Sequence, residues 1–143
     1  MKVLIFGLIL SVFASSTFSA TLSSKKEAKT LASDVMSHIG KGNMEAGVQL
    51  TRPYLIIPEH EFLGMLDQMK MQGPAITQRF GKTLSIELAV IEEVGDSLML
   101  VMYLQKFEKH VLRWKFYYYK PDQEWVLNTF TFDDQIFAMF QNQ

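Results

Sequence analysis

The sequence predicts an α+β domain in which N-terminal helices pack on a four-stranded antiparallel meander sheet. Three observations predict it. Apolar residues recur at a helical period between Ser24 and Met71. After Gly81 the period changes to two, with Leu84, Ile86, Leu88 and Val90 alternating with Ser85, Glu87 and Ala89. Turns at Gly95-Asp96, Glu108-Lys109 and Pro121-Asp122-Gln123 then divide the remainder into hairpin-linked strands. Helices grouped before such a run place the helices on one face of the sheet.

The chain opens with a short basic start, Met1-Lys2, an apolar run from Val3 to Phe13, and the small residues Ala14, Ser15, Ser16, Thr17, Ser19 and Ala20. This is the layout of a secretory signal peptide, and the apolar run is well short of the roughly 20 residues a spanning helix needs. Cleavage is expected between Ser16 and Ala20. Residues 1–20 are then a leader and residues 21–143 a single domain, periplasmic or secreted, with no membrane contact after cleavage. The chain has 143 residues, 48% apolar and 20% charged, which suits one globular domain with its own core. It contains no cysteine, which excludes disulfides, a thiolate nucleophile and a Cys-ligated zinc. A net charge of −1 gives no bulk attraction to nucleic acid.

Ser24 suits a helix N-cap, with Glu27 three residues later as a capping box. Ala28, Leu31, Ala32, Val35, Met36 and Ile39 form the apolar arc, and Gly40 and Gly42 supply the stop. Asn43 suits the N-cap of a second, short helix that ends before Arg52-Pro53. A third is expected from Pro58 to Met71, with Phe62, Met65, Leu66 and Met69 as its stripe and Gly73-Pro74 as its end. Strands follow at Leu84–Val90, Leu98–Phe107, Val111–Lys120 and Trp125–Phe132, and Asp133–Gln143 is a tail. Short turns set a register with Leu84, Ile86, Leu88, Val90, Met99, Val101, Tyr103, Gln105, Leu112, Trp114, Phe116, Tyr118, Val126, Asn128, Phe130 and Phe132 facing the helices. The other face carries charged residues, Glu93 among them, together with Leu98, Leu100, Met102, Leu104, Tyr117, Tyr119, Trp125 and Leu127. It is too apolar to be merely solvated.

A leading helix, two shorter helices and a meander ending in Trp125-Val-Leu-Asn-Thr-Phe-Thr-Phe-Asp133 resemble the nuclear transport factor 2-like superfamily over residues 22–135. The resemblance implies a sheet curved around the helices into a conical pocket, with the outer sheet face as a dimer surface. It does not choose among isomerases, dehydratases, hydrolases and non-catalytic exported domains. A cystatin-like fold is the alternative, and the second and third helices count against it.

Asp34 and His38 are four residues apart on the first helix, spacing that lets a carboxylate orient an imidazole base. They are the candidate catalytic pair, weighed against an ordinary solvated pair. Tyr103, Gln105, Tyr118 and Asn128 are the polar groups assigned inward, and Tyr54 is assigned to a cavity lip. These five are candidate ligand-binding residues, weighed against structural hydrogen bonding. Met65, Met69 and Met71 near His60 suggest a thioether copper site, but core packing explains Met65 and Met69 without one. No metal or other cofactor is therefore expected. Arg113 and Lys115 interleave with Tyr117 and Tyr119, too few cations for nucleic acid.

The expected function is non-catalytic binding of a small apolar or amphipathic ligand or of an exported protein partner. A homodimer is expected through Leu98, Leu100, Met102, Leu104, Tyr117 and Tyr119. The alternative is a cavity enzyme doing proton transfer with His38 and Asp34.

Overall fold

A computed structural model describes residues 19–141. The expected leader lies outside the described residues, apart from Ser19 and Ala20. The chain is α+β: helices α1 (Lys25–Gly40), α2 (Met44–Gln49) and α3 (Glu59–Phe80) precede strands β1 (Thr83–Val94), β2 (Leu98–Phe107), β3 (Val111–Tyr119) and β4 (Val126–Asp133). Single 3-10 turns lie at Arg52–Tyr54 and Ile136–Met139. The sheet is an open antiparallel meander in the order β1-β2-β3-β4.

α1 starts as its sequence requires. The Ser24 side chain accepts from the Glu27 amide at 3.2 Å, and Glu27 accepts in turn from the Ser23 amide at 2.7 Å, one residue ahead of the N-cap. All six residues of the expected arc are buried. Asn43 caps α2 by accepting from the Ala46 amide. α2 crosses α1 at Gly47, where a Cβ would lie 2.6 Å from the Val35 carbonyl oxygen, so only glycine fits.

α3 departs from expectation. It runs nine residues past Met71 to Phe80, with Pro74 inside it and Pro58 as its N-cap rather than its first residue. Pro74 has no N–H for the Lys70 carbonyl. The helix continues because its buried stripe continues: Phe62, Leu66, Met69 and Phe80 are buried and Ile76 packs on the core, at the three- and four-residue spacing of one helix face. Packing outweighs the proline.

The register of β2 on β3 is the expected one, and Phe107 donates to the His110 carbonyl across the Glu108-Lys109 turn. Leu112, Trp114, Phe116 and Tyr118 are buried beneath the helices with Met99, Val101 and Gln105. Bulges change the two outer strands. Val94 pairs with Leu98, so the first turn has three residues, with Gly95 at φ +56°, and a bulge between Leu88 and Val90 restores the expected pairing of Leu88 with Tyr103. The stretch between turn and bulge is therefore inverted. Val90 faces outward, and Glu93, expected outside, faces the helices and binds Lys25 of α1. Leu84, expected inside, lies at a second irregularity and is 65% exposed. On β4 a bulge at Asn128 turns Leu127 inward and Asn128 outward, while Phe130 and Phe132 stay inside. Val126 likewise faces outward, opposite Tyr119. Trp125, expected outside, is buried and pairs with Leu22 through two 2.8 Å backbone bonds.

Candidate functional site

α2 and the second half of α3 face the sheet across a gap. They leave a cleft of about 410 Å³. Its apolar lining is Ile39 and Met44 on one side, Ile76 on α3, and Phe107, Leu112, Trp114 and Phe132 on the sheet, and its polar lining is Asn43, Glu45, Lys70, Thr77, Thr83 and Gln105. The Trp114 and Phe132 rings stack at 4.6 Å and form the floor. Gly73 also lines the cleft, and a Cβ there would meet nothing within 4 Å.

Gln105 is the buried amide among these lining residues. Gln105 accepts from the Trp114 indole N–H at 2.9 Å and donates to the Thr83 hydroxyl oxygen at 2.8 Å. A primary amide offers two N–H donors and an oxygen with two lone pairs. Gln105 therefore keeps one donor and one acceptor site beyond these two bonds, and Thr83 keeps its own O–H. At the rim, Lys70 of α3 and Glu45 of α2 form an ion pair at 2.8 Å. The hydrogen bond to Glu45 raises the Lys70 pKa above its ordinary value.

Of the expected ligand-binding residues, Gln105 lines this cleft. Tyr118 is buried elsewhere in the core and donates to the Ala28 carbonyl at 2.7 Å. Burial pushes its phenol well above the ordinary range, and the nearby phenols of Tyr103 and Tyr54 add to the rise. Tyr54 and Tyr103, both half-buried, lie near the buried Tyr118. Asn128 does not join them, since the β4 bulge sends it to the opposite face.

Asp34 is exposed and His38 is half-buried. No hydrogen bond joins their side chains among those described, and neither residue lines the cleft. Met69 is in the core while Met71 is 81% exposed, so α3 turns the two thioethers apart. Among the described residues no group of three His, Asp or Glu side chains converges as a metal site. The residues expected at an interface share the outer sheet face: Leu98, Tyr117 and Tyr119 are exposed, Leu100 and Leu104 half-buried, and Met102 buried. Arg113 and Lys115 on that face are both held by Asp133, at 2.7 and 2.6 Å. Phe137 and Phe140, in the tail beyond β4, are exposed.

The sequence pattern does not single out Thr83, Glu45, Lys70 or Ile76, and it marks Gly73 only as the end of a helix. The spacing from Phe62 through Phe80 carries the signal for Gly73 and Ile76, once Pro74 is allowed inside the helix.

Comparison of the chain with protein-family models, with curated proteins and with solved structures finds no match.

Proposed function

We propose that the chain is an exported, non-catalytic binding module of nuclear transport factor 2-like type that holds a small amphipathic molecule between α3 and the sheet. The observation that carries this is the cleft of about 410 Å³, whose mixed lining sets the Trp114 and Phe132 rings beside the Gln105 amide, which has hydrogen-bonding capacity to spare. Small-molecule sites are commonly of this size and design, with a few polar groups fixing orientation on an apolar surface. The ligand class that fits is an uncharged apolar body with one hydroxyl, carbonyl or amine directed at Gln105 and Thr83. The rim cation is already paired with Glu45, so a charged head gains little there. Export rests on the leader pattern of residues 1–20. The proton-transfer alternative draws no support from the positions of Asp34 and His38.

The test uses 1-aminoanthracene, a flat apolar amine, as the probe. Saturable binding is expected, with energy transfer from the Trp114 indole on the cleft floor. Gly73→Leu should weaken binding at least tenfold while the far-ultraviolet spectrum stays unchanged, because the new side chain has room to enter the cleft and leucine is the better helix former. Absence of saturable binding, or equal binding by Gly73→Leu, refutes the proposal.

A further inference from the structure

The sheet face turned away from the helices opens, near the β1–β2 turn, into a groove of about 540 Å³. The register lays out its walls. Glu92 on β1, Leu100 on β2 and Tyr117 on β3 are successive cross-strand partners, and so are Val94, Leu98 and Tyr119. Residues directly opposed in this way share a face. β2 therefore supplies an apolar floor, Leu98 and Leu100. β1 forms one bank, which carries a carboxylate, and β3 forms the other, which carries two phenol rings. The rings are about 7 Å apart along their strand, and the banks are two strand spacings, about 10 Å, apart. Tyr117, Tyr119 and Glu92 are all exposed.

The charge of the groove is of one sign. Glu92 is the charged residue in its lining, and Asn128 and Thr129 add polar groups without charge. Among the described residues Glu92 has no ion-pair partner. The nearby cations are directed elsewhere. Lys25 binds Glu93 on the helix side of the sheet, Lys115 binds Asp133 at 2.6 Å, and Lys120 lies over the Trp125 ring. Asp96, in the turn that joins β1 to β2, adds a second acid at this end of the sheet, also without an ion-pair partner among the described residues. A ring face attracts a cation through its quadrupole, and the attraction grows when the cation is desolvated. An ammonium group between the banks meets the carboxylate on one side and the rings on the other. An apolar chain on that group covers the leucine floor, which a bare hydrated ion would leave wet.

We propose that this groove binds an amphiphilic organic cation, an alkyl-substituted ammonium whose head lies between Glu92 and the Tyr117 and Tyr119 rings and whose chain lies on Leu98 and Leu100. An anion of the same shape is repelled by Glu92. The groove shares no lining residue with the cleft between α3 and the sheet. Either proposal can therefore fail without the other.

Calorimetric titration of the full chain, as processed by an exporting cell, tests this with octyltrimethylammonium kept below its micelle concentration. Saturable binding is expected with a Kd of ~1 mM or below. Octyl sulfate, which has the same chain and the opposite charge, and choline, which has the head without the chain, should each bind at least about tenfold more weakly. Phosphatidylcholine vesicles present the same head but keep their chains in the bilayer, and should not bind. Glu92→Lys should weaken binding of octyltrimethylammonium at least about tenfold, and Tyr117→Leu with Tyr119→Leu at least about threefold. Added salt should weaken binding by the wild type and leave Glu92→Gln nearly unchanged. The side chains replaced are exposed, so folding should be unaffected, and circular dichroism of each variant checks this. Lack of saturable binding, equal affinity for octyl sulfate, indifference to these substitutions, or binding to the vesicles each overturns the proposal. Displacement by 1-aminoanthracene would put the cation in the cleft and overturns it too. So does loss of binding as the protein is concentrated, which would put a second copy of the chain in the groove.

Discussion

Replacing Asp133 with asparagine should loosen the C-terminal turn from the sheet and remove a defined part of the acid sensitivity. Partial burial alone would raise the pKa of this carboxyl. The bonds from Arg113 and Lys115, with a third from the Gln135 amide, outweigh burial and hold it at about 2 against an ordinary 3.8. The difference corresponds to about 2 kcal/mol of folding stability at neutral pH. Because the folded-state value lies below the unfolded one, that stability is fully present above about pH 5 and is lost as the pH falls toward 2. Urea unfolding followed by tryptophan fluorescence between pH 6 and 2 measures it. Asp133→Asn should be less stable than the wild type by at least about 2 kcal/mol at pH 6, since it also leaves the buried Arg113 guanidinium without a carboxylate. The gap should narrow by about 2 kcal/mol as the pH reaches 2. Stability curves that stay parallel over this range would refute the reasoning and place the acid-labile group elsewhere.

Other changes probe the core and the helix layer. Gln105→Leu removes the acceptor of the Trp114 indole N–H, which is 1% exposed, and should cost about 1–3 kcal/mol in thermal or urea unfolding; an unchanged midpoint would show that the indole does not depend on this amide. Gly47→Ala drives a methyl group against the Val35 carbonyl and should destabilise by about 1–3 kcal/mol, although alanine is the better helix former; a gain in stability would mean that α1 and α2 do not cross this closely. Pro74→Ala restores a donor for the Lys70 carbonyl and should stabilise by up to about 3 kcal/mol; a loss by the same measurement would show that the proline ring is needed where it is.

The elements whose local signals agree were legible in the sequence. α1 has a cap, an arc and a glycine stop that all specify the same helix, and β2 and β3 have continuous alternation joined by a tight turn. The errors arise where a local signal was opposed by packing at a distance. Gly73-Pro74 is a strong breaker in a peptide, but the apolar positions on either side of it fall on one face, and the sheet beneath them holds the helix together. Bulges are the second cause. Side chains alternate strictly along a strand, so an extra residue at Ala89 or Asn128 reverses every side chain between the bulge and the turn. No residue type announces a bulge, and Asn128 and Glu93 were misplaced for that reason. Gln105 was recognised as an inward amide because β2 contains no such interruption over that stretch. Thr83 and Trp114 became its partners only through pairing across strands. The Lys70–Glu45 pair joins helices whose relative placement no local pattern specifies.

The bridge between Leu22 and Trp125 also governs timing. Consecutive strands pair with their immediate neighbours, so most of the sheet can zip as the chain is made, each new hairpin closing a short loop. Leu22 must wait for a residue 103 positions later. During synthesis from the N-terminus, Ala20 can bond the Pro53 carbonyl early, but Leu22 stays unpaired until Trp125 has been made. Any process that supplies the chain from its N-terminus leaves Leu22 unpaired until nearly all of it is available, and the segment then closes on the start of the last strand.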